Sequence, residues 1–176
     1  MIDALVERGH TPYRQIGQRA VSQVLGRARI EHTGEEVEWL VSRIEVLRPF
    51  PDVLAALERL AGRYRLAVLS NGDRDMLANA MPHVGFEFDQ VISVEEAGYF
   101  KPHHRTYERA AEILGVEISS VMHVANHPFD CIGAKAAGMR TAFIDRRRRP
   151  YGDSPYQPDL VVADFAALAS EMTRDD

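Results

Sequence analysis

The chain has 176 residues, 45% of them apolar, which is enough for one globular domain with a substantial hydrophobic core. A formal net charge of -5 argues against nucleic acid and anionic membranes as partners, and a single cysteine, Cys131, excludes an internal disulfide. The sequence shows neither a signal-peptide pattern nor an apolar run long enough to span a bilayer. These features predict a cytoplasmic protein.

Residues 1–47 show helical periodicity and no strand pattern. One helix is predicted at about residues 12–25. A second begins at Thr33, which forms a capping box with Glu36. One face of this second helix is apolar and consists of Val37, Leu40, Val41 and Ile44. We interpret residues 1–47 as a partial helical cap.

Residues 48–176 follow a different pattern, in which short apolar runs alternate with helical stretches. Asp52 is the predicted N-cap of the first helix and Gly62 its end. The apolar runs predict strands at 66–69, 91–92, 121–124, 141–144 and 160–162. Further helices are predicted at 75–80, 104–114, 129–137 and 165–172. Such alternation is typical of a parallel sheet covered on both faces, so we predict a doubly wound, Rossmann-like α/β core.

Three loops at the carboxyl ends of predicted strands carry the candidate site residues. Ser70 and Asn71 follow the first strand, Lys101 lies in the loop after the second, and the loop from Asn126 to Asp130 follows the third. Ligands of parallel α/β sheets bind at this edge. We therefore expect these side chains to share one site.

In the same order, these loops resemble three motifs of the haloacid dehalogenase superfamily of hydrolases. The family's second motif is a Ser or Thr at a strand end, matched by Ser70. Its third is a lysine, matched by Lys101 before Pro102, and its fourth is an acidic loop opening a helix, matched by the loop ending at Asp130. The resemblance covers essentially the whole chain and implies that family's α/β core with a helical cap.

Within the superfamily, the fourth motif resembles that of the 2-haloacid dehalogenases of type II. The phosphatases place an acid four residues before the last aspartate to help hold Mg²⁺, where this chain has Asn126. A neutral amide is a poorer ligand for this cation. The resemblance therefore implies no metal and no cofactor, and Mg²⁺ enters only under a phosphatase alternative. It also implies a short 2-haloacid as the substrate and suggests a homodimer.

The resemblance assigns catalytic roles to three residues. In such enzymes an aspartate on the first strand displaces halide from C2 with inversion, and water then hydrolyses the resulting ester. Lys101 would keep that carboxylate ionised, and Asp130 would orient or activate the water. Ser70 and Asn71 would hydrogen-bond the substrate carboxylate or the nucleophile. Taken singly, Ser70 could be a turn residue, Lys101 a surface lysine and Asp130 a helix N-terminal acid.

The remaining predicted substrate-binding residues are Asn126, His127 and Phe129. Phe129 takes a position where the family has an aromatic residue lining the halide pocket, and His127 one where the dehalogenases carry asparagine. Tyr13 of the cap is a further candidate for an apolar wall. As structural alternatives, Asn126 and His127 could be loop residues or caps, and Phe129 could belong to the core.

The family's first motif, an apolar strand leading into Asp-x-x-Gly-Thr, has no match. Asp3 has only two residues before it and no Gly-Thr turn after it, so we do not expect it to be the nucleophile. In the family this first strand is central, between the strands ending at Ser70 and Val124, and its absence would leave two strand edges unpaired. Either the start codon is assigned too late, the chain is truncated, or another segment fills the position.

Three functions remain open from the sequence. The leading hypothesis is an (S)-2-haloacid dehalogenase-type hydrolase, acting through an aspartyl ester and truncated in this chain. The second is a phosphatase of the same superfamily. The third is a non-catalytic module that binds small carboxylates or a protein partner. Outside the motifs, we predict a solvated loop at 146–149 and a buried structural thiol at Cys131.

Overall fold

The computed structural model describes residues 11–174, so Asp3 lies outside the described residues. Within this range the helices are α1 (Tyr13–Arg27), α2 (Gly34–Ser42), α3 (Val53–Ala61), α4 (Arg74–Val84), α5 (His104–Leu114), α6 (Pro128–Ala136) and α7 (Phe165–Met172). The strands are β1 (Ala67–Ser70), β2 (Gln90–Ser93), β3 (Met122–Ala125), β4 (Arg140–Ile144) and β5 (Leu160–Val162). Short 3-10 turns occupy Arg43–Val46, Val94–Glu96 and Ile118–Ser120. In this part of the chain no helix is long and apolar enough to cross a membrane.

The predicted capping box at the start of α2 is confirmed. The Thr33 hydroxyl accepts a hydrogen bond from the Glu36 backbone N–H at 3.2 Å, and the Glu36 carboxylate accepts one from the Thr33 backbone N–H at 2.7 Å. Of the apolar face, only Val37 and Val41 are buried, whereas Leu40 and Ile44 are exposed. Ile44 leaves the helical face because α2 ends at Ser42 and Ile44 lies in a 3-10 turn, whose tighter winding shifts the side-chain positions.

Asp52 does not act as the predicted side-chain N-cap of α3. Its carboxylate instead accepts hydrogen bonds from the Arg146 guanidinium at 2.8 and 2.9 Å and from the Phe165 backbone N–H at 2.9 Å. Asp52 thereby ties the start of α3 to the end of β4 and the start of α7. Arg146 is accordingly not part of a solvated loop, although residues 147–149 are exposed as predicted.

The strands form two parallel sheets. β1 pairs with β2, with Ala67 opposite Gln90, and β4 pairs with both β3 and β5, with Ala142 opposite Val124 and Leu160. Among the described strands, β1 and β3 do not pair with each other. A cavity of about 680 Å³ is lined by residues of both, and we call it the gap.

Helices cover both faces of the sheets, so the predicted doubly wound α/β fold is confirmed. On one face, α3 and α7 pack on β4 through a cluster that includes Leu60, Ile144 and Leu168. On the other face, α5 and α6 pack through Tyr107 and Ala134. This architecture brings the carboxyl ends of β1 and β3 to opposite sides of the gap.

The N-terminal helices dock on the core through polar contacts. The Asp73 carboxylate accepts hydrogen bonds from the backbone N–H groups of Tyr13 and Arg14 at 2.7 and 3.0 Å. The Arg14 guanidinium pairs with Asp75 of the core at 2.7 Å and, within the N-terminal unit, with Glu45 at 2.9 Å. These bonds fix where α1 begins relative to β1. The division into a cap at 1–47 and a core at 48–176 stays a prediction.

Candidate active site

Lys101 lies in the loop between β2 and α5, and its ammonium group points into the fold. Its Nζ donates to the backbone carbonyl of Leu69 at 2.9 Å and to Oδ2 of Asp130 at 2.7 Å. The Lys101 backbone N–H donates to Oδ1 of Asn71 at 2.9 Å. Only 11% of the Lys101 side chain is exposed, which is inconsistent with an ordinary surface lysine. Among residues 11–174 these are the two acceptors of Nζ; an ammonium carries three donors, so one N–H remains for a further acceptor beside the gap, which Lys101 lines.

Asp130 lies in the first turn of α6 and accepts hydrogen bonds from three elements. Its Oδ1 accepts from the Tyr107 hydroxyl at 2.8 Å and is 2.9 Å from Nε2 of His123, while Oδ2 accepts from Lys101. Burial alone would raise the pKa of Asp130, but the hydrogen bond and charge of His123 and the charge of Lys101 outweigh it and hold this pKa well below its usual range. Asp130 is therefore a fixed carboxylate anion.

Tyr107 and His123 were not among the predicted site residues. Tyr107 is fully buried on α5, and burial next to the Asp130 carboxylate raises its pKa, so its hydroxyl stays a donor. No metal-ligand spacing in the sequence joins His123 to the neighbouring histidines, so its residue type alone does not mark it as part of a site. The available signal was its place on the strand that leads into the fourth motif. We call Asp130, Lys101, Tyr107 and His123 the Asp130 cluster.

Gly133 allows α6 to approach the Lys101 loop closely. A Cβ atom at this position would lie 2.6 Å from Cβ of Pro102 and 2.8 Å from the Tyr107 hydroxyl. Real Cβ contacts are not that short, so a side chain here would displace one of these groups. The glycine thus sets the distance between the helix that carries Asp130 and the loop that carries Lys101.

Ser70 and Asn71 stand at the carboxyl end of β1, as predicted, but contact different groups. The Ser70 hydroxyl accepts from the Gly72 backbone N–H at 3.0 Å, the contact expected of a turn residue. Asn71 fixes the Lys101 loop through the hydrogen bond described above. The predicted contacts of both residues with substrate stay predictions.

The loop between β3 and α6 places its residues around a second cavity of about 300 Å³. Asn126 and His127 line this cavity together with Asp130 and Arg146. The Phe129 side chain is 40% exposed, which excludes a core position, and its ring lies 5.7 Å from that of His127. Phe129 lines neither of the two cavities. Its role as a halide-pocket wall stays a prediction.

The structure also gives the positions of Tyr13, of Cys131 and of the residue types that could bind a metal ion. Tyr13 packs against Phe100, with ring centroids 6.2 Å apart, at the contact between α1 and the core. Cys131 is fully buried, and burial raises the pKa of its thiol to about 12, as expected of a structural thiol. Within residues 11–174, no three His, Cys, Asp or Glu side chains are grouped so as to hold a metal ion.

Comparison with known proteins assigns the family. The model of the haloacid dehalogenase-like hydrolases matches residues 5–138. The chain belongs to this family. The match spans the N-terminal helices and the three predicted motif loops, so the resemblance inferred from Ser70, Lys101 and Asp130 is confirmed at the level of the family.

Several dehalogenases are similar to this chain in sequence. Haloacetate dehalogenase H-2 of Moraxella sp. (strain B) is 37% identical over 125 residues, which are 69% of this chain and 56% of the relative. The (S)-2-haloacid dehalogenase of Xanthobacter autotrophicus is 35% identical over 133 residues, 74% of this chain and 52% of the relative. That of Pseudomonas sp. (strain YL) is 32% identical, with coverages of 69% and 54%. The chain thus spans about half the length of the curated relatives it matches.

Solved structures of dehalogenases share the fold. The L-2-haloacid dehalogenase of Xanthobacter autotrophicus with chloropropionic acid covalently bound superposes with a TM-score of 0.85 at 28% identity, covering 97% of this chain and 79% of the other. A defluorinating L-2-haloacid dehalogenase gives 0.83 at 27% identity, with coverages of 98% and 75%. The likeness includes the N-terminal helices as well as the α/β core.

Proposed function

We propose that the site at the carboxyl ends of β1 and β3 belongs to a hydrolytic dehalogenase that acts on short (S)-2-haloacids. The observation that carries the proposal is the buried ion pair of Lys101 and Asp130, which lies beside the gap and leaves one Lys101 N–H for another acceptor. The similar dehalogenases supply the substrate class.

The reaction needs a carboxylate nucleophile and then water. A carboxylate oxygen attacks C2 of the haloacid, a carbon–oxygen bond forms, and the carbon–halogen bond breaks as halide leaves with the electron pair. Water then adds to the carbonyl carbon of the ester. The 2-hydroxy acid leaves, the carboxylate is restored and one proton is released. The free N–H of Lys101 is suited to keeping the nucleophile ionised before attack.

We place the nucleophile on an extended segment outside residues 11–174 that occupies the gap. A parallel strand there would pair with β1 on one side and β3 on the other, satisfying backbone groups on both edges. Its carboxyl end would reach the level of Ser70 and Ala125, next to Lys101. A carboxylate at that point would meet the free N–H of Lys101.

The other site residues receive supporting roles. Asp130 accepts three hydrogen bonds and has a lowered pKa, which favours orienting water over taking its proton. Ser70 and Asn71 remain the candidates for the substrate carboxylate, and His127 with Phe129 for the halide side.

We further propose that no metal takes part. Asn126 offers an amide where the metal-dependent members of the superfamily have an acid, and the Lys101 ammonium lies 2.7 Å from Oδ2 of Asp130, which disfavours a second cation there. A homodimer, suggested by the resemblance, stays a prediction.

The proposal is tested by adding a strand that carries the nucleophilic aspartate. The chain is extended at its N-terminus by a flexible linker preceded by an apolar strand of about six residues that ends in aspartate, and a matched version ends in asparagine. Chloride release is measured from each enantiomer of 2-chloropropionate. We expect release from the (S) enantiomer with the aspartate version only.

Three results would contradict the proposal. A cooperatively folded aspartate version that releases no chloride from either enantiomer would exclude the dehalogenase reaction. Mg²⁺-dependent hydrolysis of p-nitrophenyl phosphate by the same protein would favour a phosphatase. Turnover by the unextended chain would place the nucleophile within residues 1–176, so that no added strand would be needed and the expected difference between the matched versions would be wrong.

A further inference from the structure

We infer that His123 is a positioning residue: it holds Oδ1 of Asp130 so that Oδ2 faces Lys101. The meaning of this role for catalysis rests on the function proposed above. The test described below uses no turnover, so it can fail or succeed independently of that function.

His123 is directed at Asp130 by the alternation of β3. Its neighbours Met122 and Val124 pack into the cluster on the α3–α7 face of the sheet, so His123 faces the α5–α6 side. There its ring meets the Tyr107 ring edge-on, with centroids 5.5 Å apart, and 11% of its side chain is exposed. An ionised carboxylate can only accept, so the Nε2 of His123, 2.9 Å from Oδ1, must carry a proton.

The two oxygens of Asp130 have separate partners. Oδ1 accepts from Tyr107 and His123, which leaves Oδ2 for Lys101. Lys101 in turn donates to the Leu69 carbonyl on β1. A continuous chain of hydrogen bonds therefore runs from β3 through α6 and the Lys101 loop to β1, across the carboxyl end of the gap. His123 is the β3 end of that chain.

Removal of His123 should act on Lys101 through Asp130. With one of its two donors lost, Oδ1 is held by Tyr107 alone, so the carboxylate is less restrained and Lys101 can follow either oxygen. The ammonium group would no longer be fixed at the point where the gap ends. Truncation of Tyr107 cannot test this cleanly, because its ring is also a fully buried part of the core.

The test compares three forms of the 1–176 chain at pH 7 by thermal unfolding. In H123L the ring is replaced by an apolar side chain without a donor, whereas in H123Q an amide N–H remains near the position of Nε2. We expect H123L to lower Tm by about 4–10 °C and H123Q to recover at least about half of that loss. A purely packing role would make H123L at least as stable as H123Q.

A second comparison identifies the partner. The fall in Tm caused by H123L should shrink to below about one third in a D130N background, because the charged acceptor is gone. It should persist in a D52N background, where the carboxylate removed belongs to the Arg146 pair. Equal effects in the two backgrounds would overturn the inference.

The pH dependence provides a third readout. The groups facing Asp130 are Lys101, His123 and Tyr107, with Cys131 adjacent on α6. Because its folded-state pKa is depressed, Asp130 contributes stability above its unfolded pKa of about 3.9, and this contribution is lost as the pH falls. Over the part of this loss that lies between about pH 4 and pH 2, we expect Tm to fall less in H123L than in the parent chain.

If H123L does not fold, H123N replaces it in the comparison, because the shorter Asn amide cannot reach Oδ1 as the Gln amide does. H123N should then be less stable than H123Q. Two results would show that His123 does not position Asp130. One is the same dependence of Tm on pH in the parent chain and in H123L, and the other is a Tm of H123Q no higher than that of the variant without a donor.

Discussion

The Asp130 cluster and the gap beside it differ in how they are stabilised. In the cluster, the carboxylate is bonded by donors from β3, α5 and the Lys101 loop, all within the described chain. The gap is instead lined mainly by apolar side chains and by two strands that do not pair across it. The three hydrogen bonds to Asp130 therefore need no partner from whatever fills the gap. Unfolding experiments on this chain can probe the cluster before any turnover is established.

The largest effect on the cluster should come from D130A. It leaves the Lys101 ammonium buried without its counter-ion, and breaking one partner of a buried pair costs about 3–5 kcal/mol. Urea unfolding at pH 7 measures this loss. The control is D75A, which removes a carboxylate that is 62% exposed in its pair with Arg14, and should cost about 0–1 kcal/mol. Similar losses for the two variants would contradict the view that the Lys101 pair is the buried one.

A smaller loss of stability should come from adding a methyl group at Gly133, where α6 contacts the Lys101 loop. In G133A the new methyl group would lie 2.6 Å from Cβ of Pro102, so the Lys101 loop or Tyr107 must move, at a cost of about 1–3 kcal/mol. The matched control is G26A on α1, where an added Cβ meets nothing within 4 Å. G26A should be neutral or stabilising by up to about 1 kcal/mol, since alanine is the better helix former. Urea unfolding compares the two, and an equally neutral G133A would show that α6 can shift freely.

The parts of the fold and of the site that depend on local sequence signals could be predicted. The strands and helices of the core were predicted to within a few residues, because short apolar runs that alternate with helical stretches are local signals. Lys101 and Asp130 were found because a resemblance to three motifs located them. Their meeting at 2.7 Å could be expected from the rule that ligands bind at the carboxyl ends of parallel strands.

Contacts that depend on distant elements could not be predicted in this way. His123 meets Asp130 across the loop between β3 and α6, and Tyr107 joins them from α5, 23 positions before Asp130. Asp52 looked like a helix cap, but its partner Arg146 lies 94 positions along the chain. The guanidinium provides two charged donors in a fixed fork, which a carboxylate prefers to a single backbone N–H.

That Asp52–Arg146 pair, outside both the cluster and the gap, gives the smallest predicted effect. Hydrogen bonds from Arg146 lower the pKa of Asp52 to about 2, so the carboxylate stabilises the fold above its unfolded pKa and ceases to do so as the pH falls from about 4 to 2. Because the pair is partly exposed, we expect D52N to remove only about 1 kcal/mol of this acid-dependent stability.

Urea unfolding at pH 5 and pH 2.5 measures this effect, with D153N in the exposed loop as the control. The stability difference between the two pH values should shrink in D52N and stay unchanged in D153N. An unchanged difference in D52N would show that the fork between Asp52 and Arg146 does not persist in solution. The link between α3, β4 and α7 would then have to rest on the apolar contacts of Leu60, Ile144 and Leu168.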